Sequence, residues 1–390
     1  MSEGGRVPRP STSSGRVLER PEQVEGRGGP AAPALVLVLA PNWLGDAVMA
    51  LPATSDIRRR FPSARLVVAA RRAVADIYRL VPFVDELVTL QWSGTWWQRR
   101  VFEADAARLR QLGADLAILL PNSFATAWLA RQAAIPDRWG YASDMRAPLL
   151  SRAVRRPTRS LHQGAYYQHL TRALGIESGP LEPALTVPES ATVAARGQLL
   201  DRGWDGARPV IVLAPGAANG TAKRWLLPYV ARVVTDLVRL RQATCVMIGS
   251  CGDASTTRDV VSLIETDATP HVIDLTGQTT IEMLAGVLSI AAACVSNDSG
   301  AMHMAAAVGT PLVALFGPTR EYETAPLARS GRRAEVLTHP VWCRPCMLRE
   351  CPIDHRCMKG IAPDRVYVAL ERLMASDPLD KSTQPLESTH

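Results

Sequence analysis

The sequence predicts an α/β protein built of two doubly wound domains, each a parallel sheet covered by helices. Four observations predict it. Short aliphatic runs alternate with amphipathic stretches from residue 34 onward, and strand, helix, strand in that rhythm pairs strands in parallel through right-handed crossovers. The rhythm lapses in a polar stretch at residues 188–208 and restarts at Val210-Ile211-Val212-Leu213-Ala214. A chain of 390 residues exceeds one ordinary core, so two domains are expected. Aromatic residues make up only 5% of a chain that is 47% hydrophobic, which suits α/β better than all-β.

From the N-terminus, residues 1–33 are rich in Gly, Pro, Ser and Arg and hold no apolar signal core, so they read as a disordered leader. Residues 35–39 read as a strand, 46–61 as one helix and 66–70 as a second strand. Strands at 87–90 and 116–120 flank a helix over 101–112. After the polar connection, strands follow at 210–214, 244–249, 271–275, 293–296 and 311–316. A closing helix spans 363–375, and the polar tail 376–390 is loose. The expected N-terminal domain is 34–185 and the C-terminal domain 205–362. In open parallel sheets, ligands bind beyond the carboxyl ends of the strands, so the candidate sites are the loops after these strands, facing a cleft.

The formal charge is +7, from 44 basic and 37 acidic side chains. That balance suits acidic partners: phosphate, carboxylate, nucleic acid or an anionic membrane face. The charge is scattered rather than blocked, which argues against a nucleic-acid binder. Of seven cysteines, Cys245, Cys251 and Cys294 lie far from the rest in strand-like or loop sequence, the usage of a reduced cytoplasmic protein. No apolar run reaches the roughly 18 residues of a spanning helix.

Four constellations carry chemistry. Asn42-Trp43-Leu44-Gly45-Asp46 follows the first strand, and an acid at a helix start is stabilising with no catalytic task, so on position alone Asp46 reads as a cap. Pro215-Gly216-Ala217-Ala218-Asn219-Gly220-Thr221-Ala222-Lys223-Arg224-Trp225 follows another strand. Its glycines admit a ligand to backbone amides, and Lys223 with Arg224 supplies charge for a diphosphate, against the alternative of a flexible basic loop. Neither G-x-G-x-x-G nor G-x-x-x-x-G-K-[ST] occurs. Asn297-Asp298-Ser299-Gly300-Ala301-Met302-His303 opens a small-residue helix whose first amides make an anion site, although Asp298 and Ser299 also serve as caps. Cys343, Cys346, Cys351 and Cys357, with His355 between the last two, read equally as a structural zinc site or a reduced loop. Besides these, Trp92, Trp96 and Trp97 with Arg99, Arg100, Arg146, Arg152, Arg155, Arg156 and Arg159 suit a membrane interface or an anionic glycolipid, or else a packed Trp cluster with a solvated basic face.

The order of these blocks, Asn42 to Asp46, Gly140 to Arg146, Pro215-Gly216-Ala217 with Ala222-Lys223-Arg224-Trp225, and Asn297 to His303, resembles the bacterial ADP-heptose:lipopolysaccharide heptosyltransferases. The type II branch is the nearer, and the likeness covers roughly residues 34–372. This resemblance implies the GT-B fold, two Rossmann-like domains around a cleft, and inverting transfer with no cofactor and no metal in catalysis. It implies that the C-terminal domain holds ADP-heptose and the N-terminal domain a lipid A-linked inner-core acceptor. Asp46 is then the general base, because an inverting transfer needs the acceptor hydroxyl deprotonated opposite the leaving diphosphate. Lys223, with Arg224, neutralises the departing ADP. Gly216, Thr221, Asp298, Ser299, Gly300 and His303 line the donor site, and Asp253 accepts from the adenosine ribose. Asn42, Trp43 and Arg146 face the acceptor. The chain has Ala218 where the family commonly carries Glu, and Leu226 where it carries Pro. A cytoplasmic enzyme with peripheral contact at the inner membrane is expected, with a heptosyltransferase I or another nucleotide-sugar enzyme as the alternative and a non-catalytic nucleotide or nucleic-acid binding protein as the remote one.

Overall fold

The computed structural model describes residue 1 and residues 32–95, 97–218, 220–328 and 333–375. Most of the expected leader and all of the expected tail lie outside the described residues. The first sheet is built from β1 (Leu35–Leu39), β2 (Arg65–Arg71), β3 (Glu86–Leu90), β4 (Leu116–Leu119), β5 (Asp137–Tyr141) and β6 (Arg152–Val154). Its helices are α1 (Leu44–Met49), α2 (Leu51–Arg60), α3 (Arg72–Ala75), α4 (Arg99–Gln111), α5 (Phe124–Gln132) and α6 (Gln163–Ala173). After α7 (Glu189–Asp201) comes the second sheet: β7 (Val210–Ala214), β8 (Thr244–Met247), β9 (Val272–Asp274), β10 (Ala293–Asn297), β11 (Leu312–Phe316) and β12 (Ala334–Thr338). With it go α8 (Leu227–Arg241), α9 (Ala254–Ser262), α10 (Ile281–Ile290), α11 (Gly300–Val308), α12 (Glu321–Thr324), α13 (Arg356–Lys359) and α14 (Pro363–Ala375).

Every pairing in both sheets is parallel. The orders are β3-β2-β1-β4-β5-β6 and β12-β11-β10-β7-β8-β9. Counted from its own first strand, the second sheet repeats the first, and both have the Rossmann order that reverses direction beside the first strand. The reversal lies between β1 and β4 in one sheet and between β7 and β10 in the other, where diverging crossovers leave a crevice. Three of the four chemical loops identified in the sequence sit on β1, β7 and β10.

Strand side chains alternate between two buried layers. Val36 and Val38 join the largest cluster, which continues through α1, α10 and α11 to Val212, Cys294 and Leu312 of the second sheet. Leu35, Leu37 and Leu39 face the other way, onto α4 and α5, and Ile211, Leu213, Val295 and Val313 face α8 and α14. Burial on both faces explains why these strands read as unbroken aliphatic runs.

The structure departs from the sequence reading in three places. The helix expected over 46–61 is two, α1 and α2, parted at Ala50. Pro52 lacks the N–H that would continue the ladder, so the first helix ends one turn after Asp46. The stretch 188–208 is not only a polar connection: α7 lays Ala191, Ala195 and Leu199 on one buried stripe, too narrow to stand out as amphipathic. Gly286 of α10 lets that stripe approach, since a Cβ there would lie 2.3 Å from the Ala191 carbonyl oxygen. Finally, β5, β6 and β12 were not foreseen. The last two are edge strands, half exposed, and carry too few aliphatic residues to signal. Among the described residues no helix is long and apolar enough to cross a membrane.

Candidate active site

The turn after β1 places Asp46 third in α1. Trp43 is the N-cap residue with no side-chain cap, and Asp46 is the only acid in the first turn. The Asp46 carboxylate does not cap the helix, as position alone suggested; Oδ1 instead accepts a hydrogen bond from the Tyr167 hydroxyl at 3.3 Å. Burial pushes the Asp46 carboxyl above the ordinary carboxylate range, while the Tyr167 bond and the charge of Lys223 oppose that rise. Asn42 is half-buried beside it, and Trp43 stands 63% exposed at the rim.

Lys223 comes from the other sheet. Gly220, at φ +105°, turns the chain under the Arg349 carbonyl, where a Cβ would approach to 2.2 Å, and the single 3-10 turn Thr221–Lys223 follows. Lys223 Nζ donates to Asp298 Oδ2 at 2.6 Å. Thr319 Oγ1 donates to the same oxygen at 2.7 Å. Asn297 holds the loop beneath: its Nδ2 donates to the Pro215 carbonyl at 2.7 Å and the Gly216 carbonyl at 3.3 Å, and its Oδ1 accepts the Trp225 N–H at 3.1 Å. Trp225 is buried and donates its indole N–H to the Ile361 carbonyl at 2.9 Å.

The end of β10 supplies the third loop. Ser299 is the N-cap residue of α11 without a side-chain cap; its hydroxyl lies 3.1 Å from that of Ser296. α11 meets α1 through glycines. A Cβ on Gly300 would lie 2.9 Å from Leu44 Cβ, and one on Gly45 would lie 2.7 Å from His303 Cδ2. His303 is buried, which lowers its pKa to about 4, with Asp298 opposing and His162 and Lys223 adding to the fall. It is therefore a neutral imidazole at physiological pH.

Of the expected site residues, the fold thus brings Asp46, Lys223, Asp298, Gly300 and His303 to one place. Gly216 is tied to Asp253, whose carboxylate carbon would meet a Gly216 Cβ at 2.3 Å. Asp253 Oδ2 accepts from the Ser250 N–H at 3.0 Å and the Ser250 hydroxyl at 2.7 Å, so part of this carboxylate already serves its own loop. Thr221 is exposed, and among the described residues the buried Arg224 Nε has no hydrogen-bond partner.

Arg146 stands otherwise than expected. Its side chain is 0% exposed. Nε donates to the Tyr141 carbonyl at 2.8 Å, and Nη1 donates to the carbonyls of Pro121 and Ser123. Burial lowers its pKa to about 10. The guanidinium clamps the loops after β4 and β5 and presents no exposed charge to an anionic acceptor.

The four clustered thiols, Cys343, Cys346, Cys351 and Cys357, line one cavity of about 20 Å³ with Ala222 and Arg344. The His355 N–H donates to Cys351 Sγ at 3.3 Å. Among the described residues no group of three His, Cys, Asp or Glu side chains is arranged to hold a metal ion. The cluster backs Ala222, whose N–H donates to the Arg349 carbonyl at 3.0 Å, and so supports the Lys223 turn from behind. Of the Trp cluster, Trp92 is buried with Arg71 5.3 Å over its ring, and Trp97 is exposed; Trp96 lies outside the described residues.

Sequence reasoning missed Tyr167, Thr319 and the stapling role of Asn297. Thr319 sits in the loop after β11, so the strand-end rule had the means to find it. Tyr167 lies inside a helix far along the chain, with nothing local to mark it.

Residues 104–356 match the profile of glycosyltransferase family 9 (heptosyltransferase). Lipopolysaccharide heptosyltransferase 2 of Salmonella typhimurium is 28% identical over 352 residues, covering 88% of this chain and 99% of the relative. The structure of the Escherichia coli ADP-heptose heptosyltransferase II is similar with a TM-score of 0.76 at 28% identity, over 87% of this chain and 98% of that one. A family 9 glycosyltransferase from Veillonella parvula shares the fold, with a TM-score of 0.77 at 21% identity over 88% of this chain and 98% of its own. The α/β architecture is the GT-B arrangement, two Rossmann-like sheets.

Proposed function

This chain belongs to glycosyltransferase family 9, the heptosyltransferases, and we propose that it moves L-glycero-D-manno-heptose from ADP-heptose to the inner-core heptose of lipopolysaccharide, with inversion. The observation that carries this reading is that Asp46, from the switch point of the first sheet, lies within electrostatic reach of Lys223, from the switch point of the second. In the proposed step Asp46 takes the proton of the acceptor hydroxyl as that oxygen bonds to the anomeric carbon. The anomeric C–O bond to the diphosphate breaks, and ADP leaves with the electron pair. Lys223 and the free amides at the start of α11 neutralise the growing negative charge. Asp298 and Thr319 hold Lys223 in place until the diphosphate arrives. No step in this scheme calls on a metal or other cofactor.

In this scheme residues 205–362 form the donor half, with Gly216, Thr221, Arg224, Asp253, Ser299 and Gly300 around the nucleotide. Residues 34–185 form the acceptor half, with Asn42 and Trp43 at its rim. Arg146 acts by shaping the Pro121 to Ser123 loop rather than by touching the acceptor. We assign a peripheral contact with the anionic inner face of the inner membrane to the acceptor half. Its support is that Trp43, Phe124, Trp128 and Met145 are exposed on loops or helices following β1, β4 and β5, and that the exposed Arg155, Arg156 and Arg159 follow β6 at the same edge of the parallel sheet.

The test is ADP release from ADP-heptose with two heptose-deficient core acceptors, one ending in Kdo and one carrying a single heptose. Turnover confined to the single-heptose acceptor is expected. Turnover confined to the Kdo acceptor would make the protein a type I enzyme, and none with either would send the donor assignment to other nucleotide sugars. Asp46→Asn should lower kcat by a factor on the order of 10² to 10⁴ while ADP binding persists.

A further inference from the structure

We propose that Tyr167 is the positioning residue of the transfer reaction: its buried hydroxyl fixes Asp46 by one oxygen and turns the other toward the acceptor. This rests on the assignment of Asp46 as base. Three observations carry it. The Tyr167 hydroxyl donates to Oδ1 at 3.3 Å across 121 residues of sequence, and among the described residues no hydrogen-bond donor engages Oδ2. The distance is long for an O–H···O bond and of the kind that tightens as a site closes on its substrate. Tyr167 itself is 4% exposed, so its ring is fixed by packing rather than held by the bond.

The second observation is how the tyrosine gets there. A Cβ on Gly164 would meet the Met49 carbonyl oxygen at 3.3 Å, so the glycine lets the first turn of α6 press against the last turn of α1. Tyr167 is one turn beyond Gly164 on α6, and Asp46 one turn before Met49 on α1, so both pairs meet along a single helix crossing. The third is that the Gln163 side chain, one turn back on α6, favours negative charge on the phenolic oxygen against the rise that burial imposes, and so polarises the O–H toward the carboxylate.

The groups around Asp46 are few. From the turn after β7 comes Lys223, which with Tyr167 favours the ionised carboxylate. From α11 comes the neutral His303, against Gly45. The buried Tyr78, in the 3-10 turn Asp76–Leu80, lies beside Tyr167 and remains un-ionised, its pKa raised by burial. Burial alone would leave Asp46 protonated to higher pH and useless as a base; Tyr167 supplies a stabiliser of the charged form from within the same half of the molecule. The tyrosine keeps its proton throughout, and the acceptor's proton goes to Asp46.

The test is the pH dependence of kcat/KM, which reports the free enzyme, for the Tyr167→Phe variant with ADP-heptose and the single-heptose acceptor. The acid limb should move to higher pH, with kcat/KM down on the order of tenfold on that limb and recovering toward wild type on the plateau. ADP affinity should not change. Gln163→Leu leaves the packed ring in place and should move the limb in the same direction by less. Unmoved limbs in both variants would overturn the inference, since a purely structural tyrosine would lower activity equally at all pH values. Asp46→Asn is run beside them: if it retains full activity, the base assignment falls, and if it is inactive while the limbs stay put, only the role of Tyr167 falls.

Discussion

Asp298 serves Lys223 before it serves any ligand. The 2.6 Å bond to Nζ compensates the ammonium, and Thr319 completes the carboxylate's bonding on the same oxygen, so Lys223 waits in a defined place rather than sweeping through solvent. His303, beside them, is held neutral by burial, and this has a consequence for stability. A histidine whose pKa falls to about 4 in the folded chain binds its proton more readily when unfolded. The folded state therefore keeps its full stability above about pH 6.5 and loses it as pH drops toward 4, by about 3 kcal/mol in all. His303→Gln should flatten that part of the curve, measured as the urea midpoint from pH 7 to pH 4; an equally steep decline in the variant would refute the attribution.

At the scale of elements, the site is a product of close helix approach. α1 has only six residues, too few to be stable alone, and is held between α11 and α6. Glycines stand at the contacts: Gly45 against His303, Gly300 against Leu44, and Gly164 against Met49. Because Leu44 Cβ, Cδ2 and Cγ would lie 2.9, 3.0 and 3.1 Å from a Cβ on Gly300, the Gly300→Ala methyl group needs the Leu44 side chain to turn and, since its Cβ is fixed to the backbone, α1 to shift with it. A loss of about 1–3 kcal/mol is expected, together with a fall in activity larger than the fall in stability accounts for, since Asp46 rides on α1. A thermal midpoint equal to wild type would show that α11 accommodates the methyl group.

At the scale of the molecule, the same strand order is used twice, and the two reversals provide the loops that meet. Both sheets belong to one compact unit, with a hydrophobic cluster running from Val36 through the helices between them to Leu312. The apolar rim of the first sheet, with its arginines, belongs to this scale too, because Trp43, Phe124 and Met145 come to the same carboxyl edge only through the pairing of β1, β4 and β5. Sedimentation with vesicles containing phosphatidylglycerol is expected at low salt and should be lost at high salt or with Trp43→Ala plus Arg155→Ala and Arg156→Ala. No difference from neutral phosphatidylcholine vesicles would remove the membrane assignment.

Local pattern by itself determined the fold class, the central strands of both sheets and the placement of three of the four candidate loops at strand ends. Doubly buried parallel strands are aliphatic runs that any reading detects, and glycine with charge after such a strand marks a ligand loop. Pattern could not determine the edge strands β6 and β12 or the narrow stripe of α7, where half-exposure and small residues erase the periodic signal. Nor could it tell a capping aspartate from one held by a tyrosine, or an arginine facing solvent from one spent on three backbone carbonyls. Asp46, Tyr167, Lys223 and Arg146 owe what they do to partners far away in the chain. Only the tertiary structure decided those partners, because burial and hydrogen bonding between distant segments leave no periodicity in the sequence that makes them.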